Sequence, residues 1–346
     1  GMFAFAVWDT KQRELFLARD HVGIKPLYYY WDGKKLIFAS EIKAILEHDI
    51  PRALSREAFN HYLRVLYVPA PYTMVEGIRK LPPAHTAFLK NGKFSTTQYW
   101  RADEHTNRDR TTDLRVLAGE LRSRLSTAVE SQLVSDRPLG VYLSGGIDSS
   151  AVLSAMAERH KRIDTFSVGF DLTKAEQTEK FNRDFELAAS TAKFFGARHH
   201  EVRLSSDDVV DNFERMVWHL DEPVSNPTNL AMLKIAEFAK RDVTVVLSGD
   251  GGDELFGGYE RYRLSVLSSI YQQTPSVVRK ILGMKERLRK LNTPAGVARF
   301  ALFMFQKPDI LRRVVATAAF ESGVTRDFFK QMFFGATPDD VPFEET

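Results

Sequence analysis

The sequence predicts an α/β protein in two parts: a β-rich amino-terminal part, then an open parallel sheet flanked by helices that ends in a helical stretch. Three observations carry that expectation. Short apolar runs separated by turn signals fill residues 2 to about 100. A polar stretch at 101–113, "RADEHTNRDRTTD", follows them and is almost devoid of apolar side chains, as an interdomain linker would be. Beyond it, apolar runs alternate with amphipathic stretches, the pattern of strands and crossover helices in an open parallel sheet. The domains so defined are 1–100, a linker at 101–113, and 114–346.

Taken in order, "FAFAVWD", "ELFLARD", "PLYYYWDG", "KLIFASE" and "HTAFLKNGKFSTTQYW" read as strands. Alternation of Phe3, Phe5 and Val7 with small residues marks the first as a core strand, and a chain that opens within a strand reads as one cut from something longer. Asp32-Gly33 and Asn91-Gly92 suit tight hairpins. Helical patches at Glu41–Glu47 and Arg56–Leu66 interrupt the strands. After the linker, Leu114, Leu117, Leu121, Leu125 and Val129 recur at helical spacing. "PLGVYL", "DTFSVGF", "HHEVRL" and "DVTVVLSG" are the expected parallel strands, with helices at about 149–160, 184–195, 207–219 and 227–240. From about 260 the chain reads as helical and basic, as in "VVRKILGMKERLRK".

Composition narrows the function classes. A formal net charge of +3 over 346 residues gives no case for a nucleic-acid or membrane partner. No apolar run approaches the roughly 18 residues of a membrane span. The chain has no cysteine, which rules out a disulfide, a thiolate metal site or a cysteine nucleophile within it and fits a cytoplasmic location.

Chemistry concentrates in two motifs. "SGGIDSS", Ser144 to Ser150, lies between an apolar run and a helical pattern, at the carboxyl end of an expected parallel strand, where such sheets bind ligands. Gly145 and Gly146 let the backbone approach an anion, and the following helix offers unpaired N–H groups and its positive dipole end. Ser144, Ser149 and Ser150 add hydroxyls. Asp148 would repel phosphate unless a cation intervenes, which implies magnesium. The motif is neither G-x-G-x-x-G nor a loop ending in Gly-Lys-Ser/Thr. Without a lysine for a γ-phosphate it suits pyrophosphate, the leaving group when ATP is cut at its α-phosphorus. A bare strand-to-helix turn would explain the glycines equally well. It would not explain a second Ser-Gly at a second strand end, "VVLSGDGGDELFGGYERY", which gathers Asp250, Asp253 and Glu254. Two such ends converging would make a nucleotide site.

The pair "LSGGIDSS" and "LSGDGGDELFGGYERY" resembles the synthetase domain of glutamine-hydrolysing asparagine synthetases, of the PP-loop ATP pyrophosphatase group. Upstream, "GMFAFAVWD", "LARDHVGIKPLYYY" and "IFASEIKAIL" resemble the later half of that family's class II glutaminase domain. The similar segments cover most of residues 2–263. The resemblance implies a partial, β-rich Ntn-type glutaminase fold followed by a PP-loop domain of the adenine nucleotide alpha hydrolase kind. It implies adenylation of the aspartate side-chain carboxylate by ATP, with release of pyrophosphate. Ammonia from glutamine then attacks β-aspartyl-AMP to give asparagine.

Carried over by motif, Ser144, Gly145, Gly146, Asp148, Ser149 and Ser150 hold pyrophosphate, and Leu143 and Val168 meet adenine and ribose through backbone atoms. Ser248 and Gly249 line the nucleotide, Asp148 and Asp253 hold magnesium, and Asp250 is the catalytic carboxylate that forms the intermediate. Many relatives carry glutamate at that last position. The partners implied are small molecules: ATP, aspartate or another carboxylate, and ammonia or glutamine. A homo-oligomeric state is left open.

Other signals are weaker. "DEPVSNP", Asp221 to Pro227, is similar to a family segment near the site, and reads equally as a helix stop followed by an N-cap. "HHE", His199 to Glu201, in a strand setting reads as structural. "RDHVGIKP", Arg19 to Pro26, reads as hairpin support. The family's amino-terminal cysteine, and a lysine from a segment beyond "DVPFEET", are not in these 346 residues. The chain is therefore expected to be a fragment that hydrolyses no glutamine. Two rivals remain: a relative that adenylates another carboxylate, such as a β-lactam-forming synthetase or a surface-polymer amidotransferase, and a non-catalytic nucleotide-binding subunit.

Overall fold

The computed structural model describes residues 1–105, 113–171, 183–224, 226 and 228–259. The expected helical, basic stretch from 260 onward and the end of the second motif, Glu260 to Tyr262, lie outside the described residues, as does most of the expected linker. The chain divides into two units. One takes Gly1–Arg101 and the short segment Asp221–Ser225; the other takes Ala102–Leu220 and Asn226–Tyr262.

In the first unit, β1 (Ala4–Asp9), β2 (Glu14–Arg19), β6 (His85–Lys90) and β7 (Lys93–Gln98) form an antiparallel sheet in the order β1-β2-β6-β7. A second antiparallel sheet, in the order β4-β3-β5, joins β3 (Tyr28–Trp31), β4 (Leu36–Ala39) and β5 (Ile78–Lys80). Helices α1 (Ile42–Leu46) and α2 (Arg56–Val65) lie between β4 and β5 in the chain. The Asn91-Gly92 hairpin forms as expected: both residues have positive φ, +50° and +71°, which matches the twist of the flanking strands. At the other expected hairpin, Asp32 turns its carboxylate back to the N–H groups of Lys34 and Lys35.

The first strand departs from expectation. β1 forms, but Phe5 and Val7 are exposed rather than buried. The reason is its position: β1 is an edge strand, and Phe5 and Val7 share a face with Phe16 and Phe88 that no described layer covers. The opposite face carries Leu17 and Ala87 into a core with Leu27, Tyr29 and Leu81.

The stretch from Arg19 to Pro26 does act as support. Arg19 sends its guanidinium to the carbonyls of Gly23, Lys25 and Leu81, at 2.9, 2.9 and 2.6 Å. Asp20, 1% exposed, accepts N–H bonds from Phe3, Val22, Ile24 and Lys25. Burial pushes its carboxyl pKa up, but the four donors outweigh burial and hold it below the usual carboxylate value.

In the second unit α3 (Leu114–Gln132) leads into β8 (Leu139–Tyr142), α4 (Ile147–Ala157), β9 (Asp164–Phe170), α5 (Arg183–Phe194) and β10 (Arg198–Leu204). Then come α6 (Ser206–Leu220), α7 (Thr228–Ala239), β11 (Val245–Leu247) and α8 (Gly252–Phe256). All strand pairings are parallel, in the order β10-β9-β8-β11. Both faces are covered. Val141, Leu143 and Leu247 pack on one side with Val152, Met156, Ala188 and Ala192 of α4 and α5. Tyr142, Phe166 and Val246 pack on the other with Ile235 and Ala239 of α7. Neighbouring residues in one strand go to opposite faces, so near-continuous apolar runs are what such a sheet demands. Along α3 only Leu125 and Val129 join this core; Leu114, Leu117 and Leu121 stay exposed. Among the described residues no helix is long and apolar enough to cross a membrane.

The four bonds to Asp20 generate a prediction. Asp20→Ala should destabilise the first unit by about 3 kcal/mol, since hydrogen bonds to a charged group are among the strong ones. The folded pKa lies below the unfolded value, so this contribution is complete above the unfolded pKa and is lost as pH falls through the folded one. Urea unfolding at neutral and acid pH checks both: the gap between parent and variant should be widest at neutral pH.

Candidate nucleotide site

The strand order sets the position of the site. β8 is the first strand of the sheet; β9 and β10 extend it to one side and β11 to the other. β8 leads through α4 to β9 on one side, whereas β11, on the other side, is reached by a crossover from β10, so a crevice opens beyond the carboxyl ends of β8 and β11. "SGGIDSS" follows β8 and "SGDGGDE" follows β11, so the two motifs meet at that switch point.

They meet in close contact. A Cβ on Gly249 would lie 2.5 Å from the Ser149 nitrogen and 2.9 Å from the Asp148 carbonyl carbon. A Cβ on Gly252 would lie 2.6 Å from Asp148 Oδ2, so the Asp148 carboxylate rests against the second loop at Gly252, the residue before Asp253 in the chain. Of the two glycines in the first loop, Gly145 is required by packing. Its φ is +81°, and a Cβ there would run into the backbone of Asp184 and Ala188 at the start of α5. Gly146 is different: its φ is −73°, and a Cβ would meet nothing closer than Ser144 Oγ at 3.4 Å. The fold leaves room there that a side chain would fill.

Gly146 is the N-cap of α4 and offers no capping side chain. The first intrahelical bond is Ser150 N–H to Gly146 O at 3.1 Å, so the N–H groups of Ile147, Asp148 and Ser149 precede the helical ladder. Ser144 and Ser149 hold the loop shape through their hydroxyls, 3.0 Å apart, and Ser149 Oγ also accepts the Ser144 N–H. The Ser150 hydroxyl donates to Gly146 O at 2.7 Å and would have to rotate to reach an anion.

On the β9 side, Leu143 N–H donates to Phe166 O at 2.9 Å, and the buried Ser167 hydroxyl donates to Leu143 O. The Leu143 N–H is therefore occupied, and its carbonyl keeps one lone pair for a ligand. Backbone groups alternate along a strand. Since Phe166 faces β8, Val168 faces the same way, beyond the point where β8 stops. Its backbone thus borders the crevice. Ser167 was not singled out in the sequence; a hydroxyl within an apolar strand next to the first motif was the available signal.

In the second loop Ser248 Oγ donates to Asp250 Oδ2 at 2.9 Å, and Asp250 is exposed. Asp253 lies in the first turn of α8, with its carboxylate against Gly258. Tyr259 Oη donates to Glu254 at 2.8 Å. Among the described residues no lysine or arginine pairs with Asp148, Asp250 or Asp253, and no group of three metal-ligating side chains forms. Two carboxylates without a third protein ligand suit magnesium, which keeps waters and takes substrate phosphates as ligands.

The remaining candidates have hydrogen-bond partners within the second unit. Asn226 Oδ1 accepts from Thr228 N and Oγ1, at 3.1 and 2.8 Å, and so caps α7. His200 stacks on Phe166 and bonds Asp164 at 2.7 Å, and His199 bonds Thr165 at 2.9 Å. They lie early in β10, away from the loop-bearing strand ends. Their role is structural.

The family described as asparagine synthase matches residues 120–332, and a glutamine amidotransferase domain matches residues 1–100. The chain is 33% identical over 286 residues to asparagine synthetase [glutamine-hydrolyzing] 1 of Bacillus subtilis, covering 82% of this chain and 43% of that protein. It is 32% identical over 297 residues to the putative asparagine synthetase [glutamine-hydrolyzing] 2 of Methanocaldococcus jannaschii, covering 84% and 55%. It is 31% identical to amidase chry2 of Gibberella zeae, covering 80% and 43%. The chain thus spans about half the length of these relatives. With the family matched across most of the second unit and beyond, the chain belongs to the asparagine synthases, a family of carbon–nitrogen ligases.

Proposed function

We propose that the crevice binds ATP and that the chain is the carboxylate-activating part of an ATP-dependent amidotransferase that makes asparagine. The observation that carries this reading is the open space at Gly146, beside unpaired helix N–H groups and opposite the second loop's carboxylates. A pyrophosphate group in that space would accept from the N–H groups of Ile147, Asp148 and Ser149 and from the Ser144 and Ser150 hydroxyls. Leu143 O and the Val168 backbone would border the adenosine, and Ser248 and Gly249 would close the other side. Asp148 and Asp253 would hold magnesium, which supplies charge compensation between carboxylates and phosphates.

The chemistry assigned to the site is attack of the aspartate side-chain carboxylate on the α-phosphorus. The bond from that phosphorus to the bridging oxygen breaks, and pyrophosphate leaves. Ammonia then displaces AMP from the acyl carbon to give the amide. Asp250, oriented by Ser248, stands at the mouth of the crevice as the catalytic carboxylate. Residues 1–100 are read as the later half of a class II glutaminase domain, with ammonia from glutamine as nitrogen donor in the whole protein. The chain matches relatives named amidase as well as asparagine synthetase, and in a second reading the acceptor is another carboxylate. A panel of carboxylates tested for pyrophosphate release separates the two.

The contrast between adjacent glycines tests the cradle. Gly146→Val should leave thermal stability close to the parent value and weaken Mg-ATP binding tenfold or more, about 1.4 kcal/mol, by calorimetry. Gly145→Ala should instead destabilise the second unit by about 3 kcal/mol, through positive-φ strain and overpacking against α5. Equal effects of the two on stability would remove the distinction between a packed glycine and an open one.

Roles in the second loop separate kinetically. In a full-length protein supplied with ammonia, Asp250→Asn should lower carboxylate-dependent pyrophosphate release roughly a hundredfold, with little change in ATP affinity. Asp253→Asn should weaken magnesium-dependent nucleotide binding as well. Near-parental turnover in Asp250→Asn with none in Asp253→Asn would mean the roles are reversed.

A further inference from the structure

The two acidic residues that follow α6, Asp221 and Glu222, do something the motifs do not predict. Helix α1 has Glu41 at its N-cap position, with no capping side-chain bond of its own. Its cap comes from 179 residues away: Asp221 Oδ2 accepts the Ile42 N–H at 2.7 Å, while Oδ1 pairs with Lys43 Nζ at 2.8 Å. Glu222 repeats the arrangement at a second place. Its Oε1 accepts the Met74 N–H at 2.9 Å, and its Oε2 pairs with Lys80 Nζ at 2.6 Å. Lys80 also donates to Val68 O.

Both carboxylates are more than nine-tenths buried, 8% exposed at Asp221 and 6% at Glu222. Asp221 takes φ of +60°, a left-handed conformation uncommon outside glycine that aspartate tolerates better than most residues. The effect of the pair reaches Tyr28. Burial, then the charges of Glu222 and Asp221, push its phenol up to about 12. Buried pairs of this kind are costly to break by removing one partner, because the other charge remains buried and unpaired.

Asp221 and Glu222 therefore belong by packing to the first unit, although α6 before them and α7 after them belong to the second. The first turn of α7 begins at Thr228, six residues after Glu222. α7 is itself held by Leu230, Ala231, Ile235 and Ala239, and leads directly to β11, which carries the second loop. We propose that Asp221 and Glu222 form a two-pronged anchor that makes the start of α7 cooperative with the amino-terminal unit. Loosening Lys43 or Lys80 then releases not only the segments that contain them but also the helix that feeds the carboxylate loop. The chain thereby carries a built-in route from residues 1–101 to that loop.

Hydrogen exchange of the full chain, read by mass spectrometry without nucleotide, tests this independently of the ATP assignment. The informative variants are Lys43→Met and Lys80→Met, which lie in residues 1–101 and leave the Asp221–Ser225 segment and α7 unaltered in sequence. Each should speed exchange at residues 40–46 or 71–80, and also at 226–232, by tenfold or more, with β8 and β9 unchanged. The double variant should exceed either single one at 226–232. Lys43→Arg and Lys80→Arg, which keep the charge, should hold 226–232 close to the parent rate. Faster exchange confined to 40–46 and 71–80, with 226–232 at the parent rate, would overturn the proposal. So would no change at any of the three.

Discussion

The candidate site depends on one steric constraint: two loops from separate strand ends occupy the same crevice with no room for a side chain between them. Gly249 lies on the backbone of Asp148 and Ser149, and Gly252 lies on the Asp148 carboxylate. Any residue with a Cβ at position 249 would have to displace backbone, which is far harder than moving a flexible side-chain tip. The contact sets the positions of the other groups. It holds the amino end of α4 against the second loop, turns Asp148 toward the residue beside Asp253, and leaves Gly146 facing open space. A phosphate cradle and a set of carboxylates become one site because the backbones touch.

Behind that contact stands the topology. An order of β10-β9-β8-β11 puts a switch point between β8 and β11. Burial of Phe166, Val141 and Leu143 on both faces keeps the strand ends in register. Ser167 extends the same register one residue past β8 by bonding the Leu143 carbonyl. Gly145, wedged against α5, fixes the loop at a second place. The first loop is thus held at both contacts, with room left at Gly146.

Much of this was legible in the sequence, for identifiable reasons. Strands of a parallel sheet buried on both faces are short, nearly continuous apolar runs, so "PLGVYL" and "DTFSVGF" could be recognised without a partner. Ser-Gly at two strand ends pointed to convergence because a lone turn does not require a second. Asn226 could be read as a cap from its place before a helical pattern. What stayed hidden depends on tertiary neighbours. Nothing local distinguishes Gly145, which packs against α5, from Gly146, which faces open space. Alternation in "FAFAVWD" signals a strand but not an edge, and so misplaced Phe5 and Val7 in a core. The anchoring of Asp221 and Glu222 joins residues 179 and 148 positions apart, beyond any pattern of local spacing.

The most direct test of the central claim is a crystal structure of the chain with magnesium and an ATP analogue that cannot be cleaved between its α- and β-phosphates. The account predicts the β- and γ-phosphates at the N–H groups of Ile147 to Ser149, in the space beside Gly146, with both loops touching one nucleotide. A nucleotide bound to one loop alone, or anywhere other than the crevice between β8 and β11, would contradict it.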